Sequence, residues 1–477
     1  MPDRILLPLI VACALFMENL DSTVLSTALP TIAADFGESP IRLKLALTSY
    51  LLALAVFLPA SGWLADRFGV RTIFRLAIII FTLSSVYCGL SDSVGEIVVG
   101  RVAQGIGGSM MVPVGRLVIL RSVKKSELVG AMAWLTIPAL IGPVMGPPVG
   151  GFLTTYADWR WVFWINVPIG VLGLVLATIF FPDIRSETRE RFDIRGFLLV
   201  GLGLATFVTG STSLGLGVLS PAAVAGLLAV GAALLAAYYW YYRRNARAIL
   251  DLGLFRFATF RAAVLGGSVF RLAAGATPFL LPLMLQVAFG MTPFESGLIT
   301  FVSAAGAIAM KFAAGPILKR FGFRTVLLTN IGITATFTAI PATFTPVTPI
   351  AVMVAILLAA GFFRSLQFTA VNAIAYDEVE PSRMSKATAM SSVFQQLSLS
   401  VGISIGAIAL ELSVGGDEIS TGDFLLPYLV VAVLCASSFF FFARLPPHAG
   451  HEISGHRARD VAPRDAADVA VQQGLER

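Results

Sequence analysis

The chain has 477 residues, a formal net charge of +6 and a mean hydropathy of +0.84; 57% of its residues are hydrophobic and only 13% charged. Soluble domains carry about a quarter charged residues, so this composition excludes a water-soluble globule and makes lipid the solvent. No glycine-rich loop ends in Gly-Lys-Ser/Thr, and no nucleophile–base or metal-ligand constellation stands out, which argues against an ATP-driven machine and against an enzyme.

A membrane-spanning helix needs roughly 20 mainly apolar residues. Fourteen segments qualify, near 6–30, 44–65, 73–91, 97–120, 130–152, 161–181, 194–214, 222–242, 261–286, 294–317, 324–343, 348–372, 386–411 and 424–443. The first is a retained helix rather than a leader, because no small-residue cleavage site follows it and Glu18 and Asp21 interrupt it. Those two acids are three residues apart, hence on one helix face. A carboxyl group in a low-dielectric setting binds and releases protons near neutral pH, which makes Asp21 and Glu18 candidates for proton coupling. For Asp21 a cap or hydrogen bond at a helix break is the alternative. Cys13, Cys88 and Cys435 fall in separate apolar segments and read as packed thiols.

Between the second and third segments lies the charged, glycine-bounded link Gly62-Trp63-Leu64-Ala65-Asp66-Arg67-Phe68-Gly69-Val70-Arg71. It recurs 253 residues later as Gly315-Pro316-Ile317-Leu318-Lys319-Arg320-Phe321-Gly322-Phe323-Arg324. Gly62, Asp66, Arg67, Gly69 and Arg71, with Arg320 and Arg324 in the second copy, are read as a conformational latch: the glycines allow close helix approach and the charges can form a charge-assisted network. A tight turn with charges that merely set topology is the alternative. Lys319 replaces Asp66 in the second copy, so the two latches are expected to be unequal.

Arg101 lies several residues inside the fourth segment, where an ionised group requires a partner or water. Bonding to backbone carbonyls of a neighbouring helix is one account of it; proton coupling is what the family resemblance carried by the motifs below implies. Gly105, Gly107 and Gly108 read as packing positions. In the fifth segment Pro138, Gly142, Pro143, Gly146, Pro147 and Pro148 kink and thin the helix. Deeper cations at Arg116, Arg271, Lys311 and Arg364 tend to line a pathway; with Glu18 and Gln367, Arg116, Arg271 and Arg364 are assigned to a substrate cavity and lean the substrate toward an anion or zwitterion. Salt bridges within a bundle, or snorkelling for Lys311, are the bland alternative. Gln367, Asn372, Gln395 and Gln396 serve polar contacts or helix–helix hydrogen bonding equally well. The 253-residue offset sets Arg271 opposite Glu18, which predicts that the two face each other across the cavity.

The basic residues test topology. With both termini cytoplasmic, the cytoplasmic links and termini hold 26 of the 34 Lys and Arg, and the opposite links hold three, Arg42, Lys44 and Arg160. This is the positive-inside bias, and it explains the net charge without a nucleic-acid partner. His448, His451 and His456 sit in a charged tail, 446–477, read as disordered.

Five motifs in order now carry a resemblance. They are Leu20-Asp21-Ser22-Thr23-Val24 with Ala28-Leu29-Pro30, Gly62–Arg71, Arg101-Val102-Ala103-Gln104-Gly105, Gly142-Pro143-Val144-Met145-Gly146-Pro147 with Gly150-Gly151, and Asp158-Trp159-Arg160-Trp161 with Phe163, Asn166, Pro168 and Gly170. Over residues 10–445 the chain resembles the major facilitator superfamily, in its fourteen-helix drug/proton antiporter branch, and most closely the MdtD-like multidrug transporters. The resemblance implies an all-α integral membrane fold. Two pseudo-symmetric six-helix bundles, 1–192 and 259–445, would flank two inserted helices and a linker, 193–258. It implies alternating access in a multi-pass cell (inner) membrane protein, with Gly142, Pro143, Gly146 and Pro147 as the antiporter motif, and drug export driven by the proton gradient with no cofactor. Expected partners are a small-molecule substrate, protons and the bilayer, for a monomer. Uptake symport of an anionic metabolite, or a membrane sensor on the same fold, are the alternatives.

Overall fold

The computed structural model describes residues 3–38, 40–182, 184, 191–213, 219–245, 248–414 and 419–456. Among them run fourteen long helices or chained helices. They are α1 (Asp3–Asp35), α2 (Pro40–Phe57, carried on through Leu58–Ala60 and Ser61–Phe68), α3 (Val70–Gly89), α4 (Val94–Ser122) and α5 (Leu128–Tyr156). Then come α6 (Asn166–Phe180, preceded by Trp161–Trp164), α7 (Ile194–Ser213), α8 (Pro221–Arg244) and α9 (Gly267–Leu283, flanked by π-helical turns Ala262–Gly266 and Met284–Ala288). The series ends with α10 (Pro293–Phe321), α11 (Phe323–Ala339), α12 (Ile350–Ile374), α13 (Met384–Ser413) and α14 (Leu425–Ser437, extended by Phe439–Phe442). Thirteen of these are apolar and long enough to cross a membrane; the fourteenth, α5, is 29 residues long. In lipid every backbone group must be satisfied within the helix, which is why so apolar a chain becomes helical throughout.

The two halves are built alike. α1 packs on α5, α2 and α3 on α4, and α3 on α6; correspondingly α9 packs on α13, α10 and α11 on α12, and α11 on α14. The repeated link is the same break in both. Gly69 (φ 92°) separates α2 from α3 and Gly322 (φ 74°) separates α10 from α11, each in the positive-φ region that glycine alone enters without strain. Just after the break, Arg71 donates to the carbonyl of Thr178 at the end of α6, and Arg324 to that of Ala443, 3.3 Å away, past the end of α14.

α7 and α8 form an antiparallel pair sealed by glycine: a Cβ on Gly231 would meet the backbone of Phe207 at 2.8 Å. α7 lies along α2 of the first half and α13 of the second, with Ser404 donating to the Ser211 carbonyl. α8 is outermost and ends in Tyr238-Tyr239-Trp240-Tyr241-Tyr242-Arg243-Arg244, aromatic and basic residues of the kind that settle at a membrane interface. The inserted pair therefore covers the seam between halves from outside.

The tail differs from expectation. Residues 446–456 are folded, with a short helix α15 (His451–Ser454); Ala449 and Ile453 are buried. Gly450 N–H donates to Asp377 (2.9 Å), Glu452 pairs with Lys125 (2.7 Å), and the His456 ring meets the Lys319 carbonyl (2.9 Å). Two buried apolar side chains outweigh the polar composition of this stretch. The remainder of the tail, 457–477, lies outside the described residues, as do Arg185, Arg189 and Arg247 of the basic links.

Candidate functional site

α1 carries the acids into the first half. Asp21, 1% exposed, is paired with the fully buried Arg101 of α4, and its other oxygen accepts from Asn166 Nδ2 (2.8 Å) and Gln104 Nε2 (3.2 Å). Gln104 and Asn166 also both donate to Ser85 Oγ, at 2.6 and 3.3 Å. Arg101 is placed further by the Gln104 Oε1 acceptor (2.7 Å), by the Ala46 carbonyl (3.2 Å), and by the face of Tyr50, whose ring centroid is 4.3 Å from the guanidinium carbon. One carboxylate thus gathers α1, α2, α3, α4 and α6. The expected bond from Arg101 to a backbone carbonyl of a neighbouring helix is made, to Ala46 of α2, and the ion pair to Asp21 stands beside it.

Glu18, one turn earlier on α1, is set otherwise. Its Oε2 is buried without a hydrogen-bond partner, and Asp21 and Tyr50 are its charged and polar neighbours. Glu18 and Arg271 make no ion pair with one another among the described residues; Arg271 donates to Asn372 Oδ1 (2.9 Å) in its own half.

α5 presses on the same stretch of α1. A Cβ on Gly142 would sit 2.9 Å from that of Asn19, and one on Gly146 would run into the Thr23 hydroxyl. Gly142 and Gly146 therefore allow α5 to lie against the turn carrying Glu18 and Asp21. The side chains of Pro143 and Pro147 lie outside the described residues.

The latch residues divide. Asp66 accepts from Arg121 Nη2 (2.9 Å), at the end of α4, and from the hydroxyl of Ser385, at the start of α13 in the other half. Gly62 is pressed so close that an added Cβ would stand 2.7 Å from the Ser385 carbonyl oxygen. Its counterpart Gly315 has open space, and Lys319 and Arg320 make no ion pair among the described residues; Arg320 stacks on Phe321. Arg67 is exposed beside a cavity of about 240 Å³ lined also by Trp63, Asp66, Arg191, Asp251 and Arg383. Within that lining Arg383 Nε donates to Asp251 (3.0 Å).

Of the remaining cavity candidates, Arg116 sits on the first half and Gln367 and Arg364 on the second. Arg116 reaches across from α4 to the Tyr376 hydroxyl (3.3 Å) and Gln395 Oε1 (3.5 Å). Gln367 is occupied by α11: Asn330 Nδ2 donates to its Oε1 (2.9 Å), and its Nε2 donates to the Leu327 carbonyl (3.5 Å). Arg364 donates to Ser303 Oγ (2.7 Å) and Lys311, 8% exposed, to Thr369 Oγ1 (2.7 Å), so Lys311 is buried rather than snorkelling. Between described residues, the hydrogen bonds that join the halves run through Asp66, Arg116 and Lys125, all near the face that carries the basic links.

Sequence reading left Ser85, Tyr50 and Ser385 unassigned. Gln104 and Asn166 stood in the quoted motifs without a role; their motif positions were the available signal, whereas nothing in sequence distinguishes Ser85 or Ser385 from other helical serines.

With two like halves, a seam and a buried charge network in place, the comparisons decide the family. The family model described as Major Facilitator Superfamily matches residues 11–260 and 263–472. The chain belongs to the major facilitator superfamily. Within that superfamily it is 38% identical over 449 residues to the multidrug resistance protein MdtD of Serratia proteamaculans, covering 92% of both chains. It is also 38% identical over 463 residues to MdtD of Shigella sonnei, covering 95% of this chain and 97% of that one. Major facilitator structures share the fold at low identity. The human organic anion transporter MFSD10 superposes with TM-score 0.67 at 14% identity, over 93% of this chain and all of that one. The proton:xylose symporter XylE, bound to 6-bromo-6-deoxy-D-glucose, gives 0.66 at 14%, over 94% and 97%. The chain is a multi-pass membrane protein of a transporter family.

Proposed function

We propose that the protein exports small amphiphilic molecules in exchange for protons, by alternating access between the bundles 1–192 and 259–445, with 193–258 as an insertion. The observation that carries this reading is the pair of acids on one face of α1. Asp21 is locked to Arg101, Gln104 and Asn166, while Glu18 stands one turn away with an unpartnered buried oxygen. Two carboxylates on one face of a helix in an apolar setting repel one another, so the proton of the cycle is assigned to this pair. Protonating Asp21 would release Arg101 from its ion pair, and the five helices gathered there would lose their common tie. Because Gly142 and Gly146 press α5 on the same turn, a change at the acids is passed directly to α5, which also packs on α10 of the other half. The basic face is taken as cytoplasmic by the positive-inside bias. The names of the 38%-identical relatives support drug efflux as the physiological direction. A monomer suffices and no cofactor is needed, the gradient supplying the work.

The test is reconstitution into vesicles with an imposed pH gradient, with a panel of cationic drugs and organic acids. Substrate movement against the gradient with counterflow of protons is expected, and Glu18→Gln and Asp21→Asn should each uncouple it. Transport indifferent to the gradient overturns the coupling; variants that leave it unchanged overturn the residue assignment.

A further inference from the structure

Two buried cations play no part in the proton network: Arg116 on α4, 4% exposed, and Arg271 on α9, 2% exposed. Arg116 belongs to the first half and its partners, Tyr376 and Gln395, to the second. Arg271 rests on Asn372 of α12. All three partners are neutral, the Nε of each guanidinium is buried without a hydrogen bond, and neither makes an ion pair among the described residues. Their partners Asn372 and Tyr376 are four residues apart where α12 ends, which brings the two charges to neighbouring turns of one segment. Lys311 and Arg364 also end on hydroxyls, but each stands within one half. Arg101 shows what the protein does with a buried cation whose role is internal: it supplies a carboxylate.

Like charges from opposite halves repel, and desolvation keeps water from screening them. An oxyanion removes that penalty, and the planar guanidinium fork with a free Nε matches a carboxylate, sulfonate or phosphate oxygen pair. We propose that Arg116 and Arg271 form a two-guanidinium clamp for the oxyanion head of the transported amphiphile, and that the bound anion draws the halves together at the basic face. The clamp rests on the reading of the protein as an amphiphile transporter. It adds the substrate's charge class and makes substrate itself a closing element: without an anion the neutral contacts of Arg116 with Tyr376 and Gln395 alone hold the halves here against the repulsion of the two guanidiniums, and with one the two charges are bridged as well. Tyr376, Gln395 and Asn372 hold the guanidiniums in place in either case.

The test uses the full-length protein in detergent at neutral pH, with no gradient. Thermal unfolding is followed by circular dichroism with three probes of one shape: naphthoate, naphthamide and naphthylmethylammonium. Naphthoate alone should raise the midpoint, since a ligand that binds only the folded state stabilises it. Arg116→Gln and Arg271→Gln should each weaken that effect roughly tenfold or more in concentration dependence, with the Lys variants intermediate. Equal stabilisation by the amide or the cation, no stabilisation by naphthoate, or an effect that survives both Gln variants overturns the clamp. If a Gln variant does not fold, the Lys variants and the wild-type probe comparison decide. A failure of proton coupling leaves this result untouched, because no gradient is present.

Discussion

Gly62→Ala isolates the closure at the basic face. The added methyl would stand 2.7 Å from the backbone carbonyl oxygen of Ser385, 3.1 Å from its carbon and 3.4 Å from the Ala389 methyl. The first contact is closer than atoms tolerate, and its partner is backbone rather than the end of a flexible side chain, so α13 or the end of α2 must move by several tenths of an ångström. Overpacking of this kind costs about 1–3 kcal/mol. The cost falls only on the state in which the halves meet here, whereas the helix-propensity gain of Ala over Gly, about 1 kcal/mol, is present in both states and cancels. The equilibrium should therefore shift roughly five- to a hundredfold away from closure at this face. A thiol reports it. Ser392 lies one and two turns beyond Ala389 and Ser385 on the same face of α13 and is 5% exposed. In a background without native cysteines, Ser392→Cys should alkylate several-fold faster when combined with Gly62→Ala, and Gly315→Ala, which meets open space, should change nothing. Equal alkylation rates with and without Gly62→Ala would refute the steric argument.

Asp66→Asn should slow vesicle transport far more than Lys319→Ala, because Asp66 ties Arg121 to Ser385 across the halves while Lys319 has no such role; comparable rates would remove the asymmetry. Asp21→Asn leaves Arg101 buried without its counter-charge, which costs about 3–5 kcal/mol, and should lower the detergent unfolding midpoint as well as abolish gradient-driven transport; the double change Asp21→Asn with Arg101→Gln should recover part of the stability but none of the coupling. Gly146→Ala drives a methyl into both the hydroxyl and the Cβ of Thr23 and should inhibit transport, with partial rescue by Thr23→Gly, which removes both atoms; an active single variant would separate α5 from the acids. Burial, with the nearby His456 and His448, holds the His451 pKa below the usual histidine value of 6.5. The folded tail disfavours the charged ring, so its stability is full above about 6.5 and falls as pH drops through that value. Asp377, raised by burial, acts in the opposite sense and at more acidic pH. Amide protection factors over residues 449–454, taken relative to the intrinsic exchange rate at each pH, should fall between neutral and mildly acidic pH, and unchanged or higher protection would contradict this.

The architecture was legible because lipid imposes it: runs of apolar residues have one way to satisfy their backbone, and the duplicated link set the repeat, which the structure realises as two positive-φ glycines. Asp21 and Arg101 were legible for a related reason, since a charge in an apolar run advertises its cost. Their neutral partners were not, because Ser85 and Tyr50 carry no such signal. A repeat has a different limit: it fixes equivalent positions along two helices, but side-chain partners depend on local surroundings, and Asn372 claims Arg271. The tail hid in the same way, two buried apolar residues outvoted by the composition around them.

The α7–α8 hairpin ends at the basic face in an aromatic and basic band whose rings also hold the linkers. Tyr241 donates to Asp193 (2.6 Å) ahead of α7, Tyr238 to the Leu250 carbonyl (2.7 Å), and Tyr242 to Asp251 (3.2 Å), which in turn holds Arg383 beside the Ser385 contact. A post moored in the lipid headgroups is thereby wired to the gate. A membrane that lifted or sank this end of the hairpin would pull on Asp251 and Arg383, and through them bilayer thickness would bear on the Asp66–Ser385 contact.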